Sequence, residues 1–339
     1  MCRSSAISLC LWLAGCTLPL DSGGTDVDAA SAPDSISGCA LFAAAAFQPG
    51  TGQSVTLPSG ATLWTFDAAL TTGGRMDGVA ALAQIVPGSC AGTLADTTVA
   101  LPPSGTDTDF AKPLDLVRVG SDVWQFYETW RLAAGAPFGV KTTGRGVAKW
   151  DSASGQFTRA SSLLWTADRP AYGQSALVDG AWVYAYGCLA AADGWTRDCY
   201  VARAPSSQLA DVNAWQYATA VGEFTANPDG ALPILIGVGD VSVRRHASGR
   251  LLASYLEPLD TVLQVRALLG PTGPFSAPHP VGQCAAPPDT FCVGAVQHPE
   301  LDPDAATLAV TFARASFDPL TDDVRWPRLA YLPLPDALP

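Results

Sequence analysis

Lysine is nearly missing from this chain: Lys112, Lys141 and Lys149 are the only three in 339 residues. With 31 acidic against 19 basic side chains the net charge is −12. That excludes nucleic acid as a partner, because a phosphate backbone needs a basic surface. Glutamate is also scarce, confined to Glu128, Glu223, Glu257 and Glu300. Histidine is limited to His246, His279 and His298, and no CxxC pair occurs. A zinc site therefore lacks its usual ligands, a Ser-His-Asp triad has no basis, and neither a metal nor a cofactor is expected. Dinucleotide, P-loop and G-x-S-x-G motifs are missing too. No long window carries a 3.6-residue apolar period, whereas Gly (32) and Pro (27) are abundant. Both facts favour an all-β chain with many turns.

The first 15 residues hold one charge, Arg3, followed by the apolar run Ala6-Ile-Ser-Leu-Cys-Leu-Trp-Leu-Ala14. This is a signal-peptide pattern, too short for a transmembrane helix of about 20 apolar residues. It ends in Leu13-Ala14-Gly15-Cys16, which resembles the lipobox of bacterial lipoproteins. The resemblance implies cleavage before Cys16, lipidation of Cys16, and a membrane partner through the anchor. Thr17 stands where an Asp would retain such a protein at the inner membrane, so the expected location is the outer membrane of the cell envelope. Residues 16–37 are small, polar and acidic, the composition of a flexible tether, and the folded domain is expected over 38–339.

Six cysteines lie beyond the signal and the lipidated position: Cys39, Cys90, Cys188, Cys199, Cys284 and Cys292. An even number in an oxidising compartment points to disulfides. Cys188/Cys199 and Cys284/Cys292 are close enough to staple single loops, which leaves Cys39/Cys90, although sequence alone does not prove the connectivity.

One pattern recurs along the rest of the chain. A turn with Gly, Asp or Ser leads into an apolar-aromatic strand ending at Phe66, Phe126, Tyr186, Tyr255 and Phe312. The steps are 60, 60, 69 and 57 residues. A sequence period of this size marks a repeat architecture. Several hairpin-linked strands per unit, five times over, predict a five-bladed β-propeller with four-stranded antiparallel blades. A two-sheet sandwich is the alternative, but it does not explain the regular spacing. The expected state is a monomer.

Three segments carry a family resemblance. They are Tyr172-Gly-Gln-Ser-Ala-Leu-Val-Asp-Gly-Ala-Trp-Val-Tyr-Ala-Tyr186, Tyr200-Val-Ala-Arg-Ala-Pro205 with Leu209-Ala-Asp-Val-Asn-Ala-Trp215, and His298-Pro-Glu-Leu-Asp-Pro303 with Leu308-Ala-Val-Thr-Phe-Ala-Arg314. They resemble a domain-of-unknown-function family of secreted bacterial five-bladed propellers related to endo-D-arabinanases and, more distantly, to glycoside hydrolases of the arabinanase and levansucrase type. The resemblance implies a carbohydrate ligand. It also implies an Asp-Leu-Gly on the first strand and a Phe-Gly-Asp on the next. This chain has Gly50-Thr-Gly-Gln-Ser54 and Thr65-Phe66-Asp67 instead.

The inner strand of each blade should precede the turn and line the central channel. Eleven residues before the first four aligned aromatics stand Val55, Asp115, Ser175 and Arg244, and twelve before Phe312 stands Glu300. Asp115, Ser175, Arg244 and Glu300 are thus expected as a polar ring at one depth. Glycoside hydrolysis commonly uses two carboxyl groups about 5–9.5 Å apart. Asp115 and Glu300 are a candidate pair, with Asp240, Asp67 and Glu128 as further candidates. Two functions follow: a tethered propeller that binds a carbohydrate or other envelope ligand at its channel without cleaving it, or an arabinanase-like hydrolase acting on a furanoside-type glycan. Trp64, Trp124, Trp130, Trp165, Trp182, Trp195 and Trp215 are expected to fill gaps between blades rather than to stack on sugars.

Overall fold

The fold is that of a computed structural model. It describes residues 35–36, 38–42, 48–49, 52–71, 74–101, 110–135, 140–160, 163–194, 196–257, 261–286, 290–316, 327–335 and 338, with the side chains of 35, 48–49, 67–71, 74–77, 96–97, 99, 140 and 315–316 left outside the description. Cys16, the signal segment and Trp195 also lie outside the described residues.

The chain is all-β and forms a five-bladed propeller of antiparallel four-stranded blades. Blade 1 runs outward from Gly52–Thr56 through Thr62–Thr71 and Gly74–Ile85 to Gly92–Val99. Blade 2 comprises Phe110–Val119, Asp122–Leu132, Val140–Asp151 and Gln156–Arg159. Blade 3 comprises Ser175–Asp179, Trp182–Ala190, Arg197–Pro205 and Gln216–Ala220, with two short additions. Blade 4 comprises Ser242–Arg245, Leu251–Leu256, Val262–Leu268 and His279–Cys284. Blade 5 takes three strands from the end of the chain, Thr290–Gln297, Thr307–Ser316 and Arg328–Pro333. Its fourth, outermost strand is Cys39–Ala40 from the beginning, paired antiparallel with Arg328 and Leu329. Among the described residues no helix is long and apolar enough to cross a membrane.

The five aligned aromatics all sit on the second strand of their blade, and each is at most 2% exposed. Five apolar clusters fill the five junctions between neighbouring blades. Trp64, Phe66 and Phe42 pack against Leu301 and Leu329 between blades 1 and 5. Phe126, Trp165 and Trp215 join blades 2 and 3. Each such ring, once buried, contributes roughly 1.5–3 kcal/mol, so most of the apolar driving force lies between blades. Trp64, Trp165 and Trp215 are at most 3% exposed, which makes them packing residues.

Hairpin length decides how the strands register. Blades 2 and 3 join their first two strands by two-residue turns whose leading residues, Gly120 and Gly180, have φ of +61° and +59°. A glycine there satisfies the turn that matches strand twist. The corresponding connections of blades 1, 4 and 5 are longer.

The three disulfides are Cys39–Cys90, Cys188–Cys199 and Cys284–Cys292, as the spacing led us to expect. Cys188 and Cys199 face each other across two strands of blade 3. The other two join blades, 4 to 5 and 5 to 1. The tether boundary needs one correction. Ser35–Ile36, inside the segment expected to be flexible, pairs in parallel with Gln283 and Cys284 of blade 4. Its backbone groups find ladder partners there, so β pairing begins before residue 38.

Candidate functional site: the channel mouth and the seam beneath it

All five blades contribute to one polar cavity of about 540 Å³ at the leading ends of the inner strands. Its lining includes Gln53 and Thr65 from blade 1, Lys112, Glu128 and Arg145 from blade 2, Gln174 and Arg197 from blade 3, Asp240 and Ser242 from blade 4, and Val293 to Val296 from blade 5. Two of the expected residues, Glu128 and Asp240, are here. Each is held by an arginine: Glu128 Oε1 accepts from Arg145 Nη2 at 2.7 Å, and Asp240 Oδ1 lies 2.8 Å from Arg197 Nε.

Strand register explains the arrangement on blade 2. Lys112 is directly opposite Glu128, and Glu128 is directly opposite Arg145. Opposed residues on antiparallel strands project to the same face. The three therefore form one row across three strands, with a carboxylate between two cations. Arg145 is only 6% exposed, and its Nη1 also donates to the Arg169 carbonyl at 2.9 Å. Its rotamer is fixed by that carbonyl and by Glu128 together.

Asp115, Ser175 and Arg244 lie further along the same inner strands, and Glu300 follows the inner strand of blade 5. Contacts between blades bring Asp115, Ser175 and Arg244 together and the Glu300 charge acts on Arg244, but the four occupy different register positions relative to the aligned aromatics. Ser175 is opposite Tyr186, but Arg244 is opposite Leu252, three residues from Tyr255, and Glu300 sits in a short 3-10 turn beyond Gln297. Counting back a fixed number of residues holds where the hairpin has two residues and fails where it is longer.

What these residues make is a seam of stitches between blades. Arg244 forms a bidentate ion pair with Asp115, whose side chain is 1% exposed. The Asp115 carboxylate also accepts from the backbone N–H groups of Leu116 at 2.7 Å and Ala176 at 2.6 Å. Burial pulls the Arg244 guanidinium down, but the Asp115 charge and hydrogen bonds outweigh it, so the net displacement is upward. Ser175 Oγ accepts from Val243 N–H at 2.8 Å. Gln297 Nε2 donates to the Ser242 carbonyl at 2.7 Å, and Gln125 Nε2 donates to Thr65 Oγ1 at 3.2 Å.

The fifth stitch joins blades 5 and 1. The Ser54 hydroxyl donates to Glu300 Oε1, with His298 Nδ1 2.5 Å from the same hydroxyl. His298 Nε2 contacts Thr311 Oγ1 at 2.6 Å, and its ring stacks on Trp64 at 4.6 Å between centroids. Burial pushes the Glu300 carboxyl up, but the His298 hydrogen bond and charge and the Ser54 hydroxyl pull it net below its ordinary value. Asp115 and Glu300 are thus each engaged in an inter-blade contact, and neither lines the mouth.

The first strand explains another departure. At Gly52, in the stretch Gly50-Thr-Gly-Gln-Ser54 that stands where the family resemblance implies Asp-Leu-Gly, an added Cβ would come within 2.8 Å of the Phe66 ring and 2.9 Å of Trp64. Gly52 therefore takes no side chain, while Gln53 beside it lines the mouth. The Asp67 side chain lies outside the described residues. Ser54, His298, Arg145, Arg197, Gln53 and Gln174 were not singled out from the sequence. The row of Lys112, Glu128 and Arg145 becomes visible only once the strand register is known.

Comparison with known families agrees with this architecture. Residues 126–315 match the model of the family described as Domain of unknown function (DUF4185). The chain belongs to the DUF4185 family. No curated protein matches its sequence. Among solved structures, this DUF4185 propeller resembles a hydrolase candidate from Bacteroides ovatus ATCC 8483 with a TM-score of 0.63, 13% identity, and coverage of 84% of this chain and 85% of that one. It also resembles the GH43_1 enzyme from Xanthomonas citri complexed with xylotriose, with a TM-score of 0.57, 14% identity and coverage of 89% and 93%. A family 117 glycoside hydrolase from Zobellia galactanivorans follows with a TM-score of 0.52, 9% identity and coverage of 85% and 84%. At these identities the shared property is the fold, a propeller of the kind glycoside hydrolases use.

Proposed function

We propose that this DUF4185 propeller binds a glycan at its channel mouth without cleaving it. We further propose that it is held at the cell envelope through a lipidated Cys16. The lipobox-like Leu13-Ala14-Gly15-Cys16 and the three disulfides, which belong to an oxidising compartment, support the second part. One observation carries the first part. Among the described residues, both acids that line the mouth, Glu128 and Asp240, already hold a guanidinium. Two-carboxyl hydrolysis needs one of its acids to donate a proton to the leaving group. The lining supplies amides, hydroxyls and ion pairs, groups that recognise sugar hydroxyls.

The second reading is hydrolysis with Glu128 and Asp240 as the pair, and the fold shared with glycoside hydrolases favours it. The two separate cleanly in one experiment. The purified protein is incubated with a panel of arabinan, xylan and galactan oligosaccharides, measuring binding by calorimetry and cleavage by chromatography. The expected result is binding with intact oligosaccharides. Release of shorter products, abolished in both Glu128→Gln and Asp240→Asn, would replace this reading by the hydrolytic one.

A further inference from the structure

A second cavity, of about 260 Å³, lies between blades 3 and 4, toward the end of the propeller away from the mouth. Arg203 on one wall is opposite Tyr184, two residues past Trp182, which closes the turn at the trailing end of the blade 3 inner strand. The other wall is the blade 4 loop after Leu268. Leu268 is opposite Leu251, itself opposite Arg245 at the trailing end of the blade 4 inner strand. The Gly222 N–H donates to Thr272 Oγ1 at 2.8 Å and joins the two walls.

The lining offers donors and no acid. Arg203 is clamped between two rings, its guanidinium carbon 4.3 Å from the Trp182 centroid and 3.7 Å from that of Phe224. Its Nε donates to Gln216 Oε1 at 3.1 Å. The plane of the guanidinium is thereby fixed, while its two terminal nitrogens have no partner among the described residues and reach solvent. Tyr184 and Thr272, both hydroxyl-bearing, line the same cavity. No carboxylate does so, and Glu223, beside Phe224, is exposed and outside the lining. A preorganised two-nitrogen fork suits a phosphate or carboxylate oxygen pair. The lip is apolar: Leu269 is 82% exposed and Val221 58%. An anion carried on an apolar body matches both halves of the site.

We propose that this cavity receives the phosphate of a membrane lipid headgroup, with Leu269 and Val221 set into the interface beside it. The direction of the chain supports a lipid surface. Ser35–Ile36 runs parallel to His279–Cys284, the strand that follows the cavity loop, and Ser35 is the end nearer His279. That strand is thus entered from the end of the propeller that carries the cavity. This choice of partner rests on the lipid-anchor reading. The net charge of −12 opposes general adhesion to an anionic bilayer, so recognition falls to one phosphate contact and apolar insertion. With this end against the membrane, the mouth faces away from it and stays open to glycans.

The test is co-sedimentation of residues 16–339, carrying Cys16→Ser so that no lipid is attached, with phosphatidylcholine vesicles. The protein is expected to partition onto them, and Arg203→Gln should lower the partition constant about fivefold, the worth of one basic group at a lipid surface. Leu269→Ser, at an exposed position that leaves folding intact, should lower it at least about threefold. About 100 mM inorganic phosphate, but not chloride of equal ionic strength, should bring the parent down to the Arg203→Gln level. Neither substitution should alter oligosaccharide binding at the mouth. Absence of vesicle binding, or equal partition of the parent and both variants, overturns the proposal. Calorimetric binding of inorganic phosphate that Arg203→Gln abolishes, without any vesicle binding, reassigns the cavity to a soluble anion and also overturns it. The anchor reading fails separately, if cells fed labelled palmitate attach none to Cys16.

Discussion

The mouth of the channel and the seam below it use the same chemical pair, a carboxylate against a guanidinium, for different ends. In the seam Asp115 and Arg244 have side chains 1% and 10% exposed, and their remaining bonds go to backbone groups, those of Ala176 on blade 3 and the Leu116 N–H. At the mouth Asp240 and Arg197 are 45% and 42% exposed and face a cavity. Glu128, at 18%, lies between these extremes, while Arg145, at 8%, is as buried as Arg244. Depth decides the role. A buried pair must satisfy every lone pair internally and becomes a latch, whereas a pair at an open cavity keeps capacity for a ligand.

The strongest challenge to this comparison is Arg244→Met. It leaves the buried Asp115 carboxylate without its cation, which costs about 3–5 kcal/mol in chemical denaturation. The double variant Asp115→Leu with Arg244→Met should recover most of that loss, since an apolar pair of similar volume is tolerated. A single-variant cost below about 1 kcal/mol would place the pair with surface ion pairs and erase the distinction.

Acidity sharpens the contrast within one short turn. Glu300 is net lowered, so its contribution to stability is present above its ordinary value and fades as pH falls through the folded one. Asp302, two residues on, is pushed from 3.8 to about 6 by burial, despite the Ala309 N–H and the nearby His246. Its sign is opposite: the stability it contributes is present below 3.8 and is lost as pH rises to about 6. Melting temperature followed from pH 4 to 7 should show this downward drift in the parent protein, and Asp302→Asn should flatten it. An unchanged slope in the variant would remove Asp302 as the cause.

The smallest effect belongs to the open pair. Asp240→Asn should change stability by no more than about 1 kcal/mol, measured in the same denaturation experiment, because solvent screens both partners. A cost as large as that of Arg244→Met would mean that the mouth is also structural.

The architecture was legible because the aromatics at Phe66, Phe126, Tyr186, Tyr255 and Phe312 mark the second strand of every blade, a position fixed by burial between neighbours. The cysteine pairing was legible because two pairs close short segments. The site was only partly legible. Asp115, Ser175 and Arg244 do stand on inner strands and meet there, but their register depends on hairpin length, which a fixed count ignores. Ser54 was passed over for Val55 by that same count. His298 belongs to no metal or nucleophile motif, so the sequence assigns it no site role, yet packing on Trp64 makes it the centre of a stitch. Arg145 and Gln174 carry no sequence signature, since their meaning comes from side-by-side strands.

The strand at Cys39–Ala40 completes blade 5 by pairing with Arg328 and Leu329, 290 residues away. A ribosome adding about 10 residues per second takes roughly half a minute to pass from one to the other. Throughout that interval the leading edge has no partner to receive, and any product that stops before the last blade can never shut its circle. Ring completion therefore waits for the Arg328–Pro333 strand, and the Cys39–Cys90 bond ties the strand that closes the circle to blade 1.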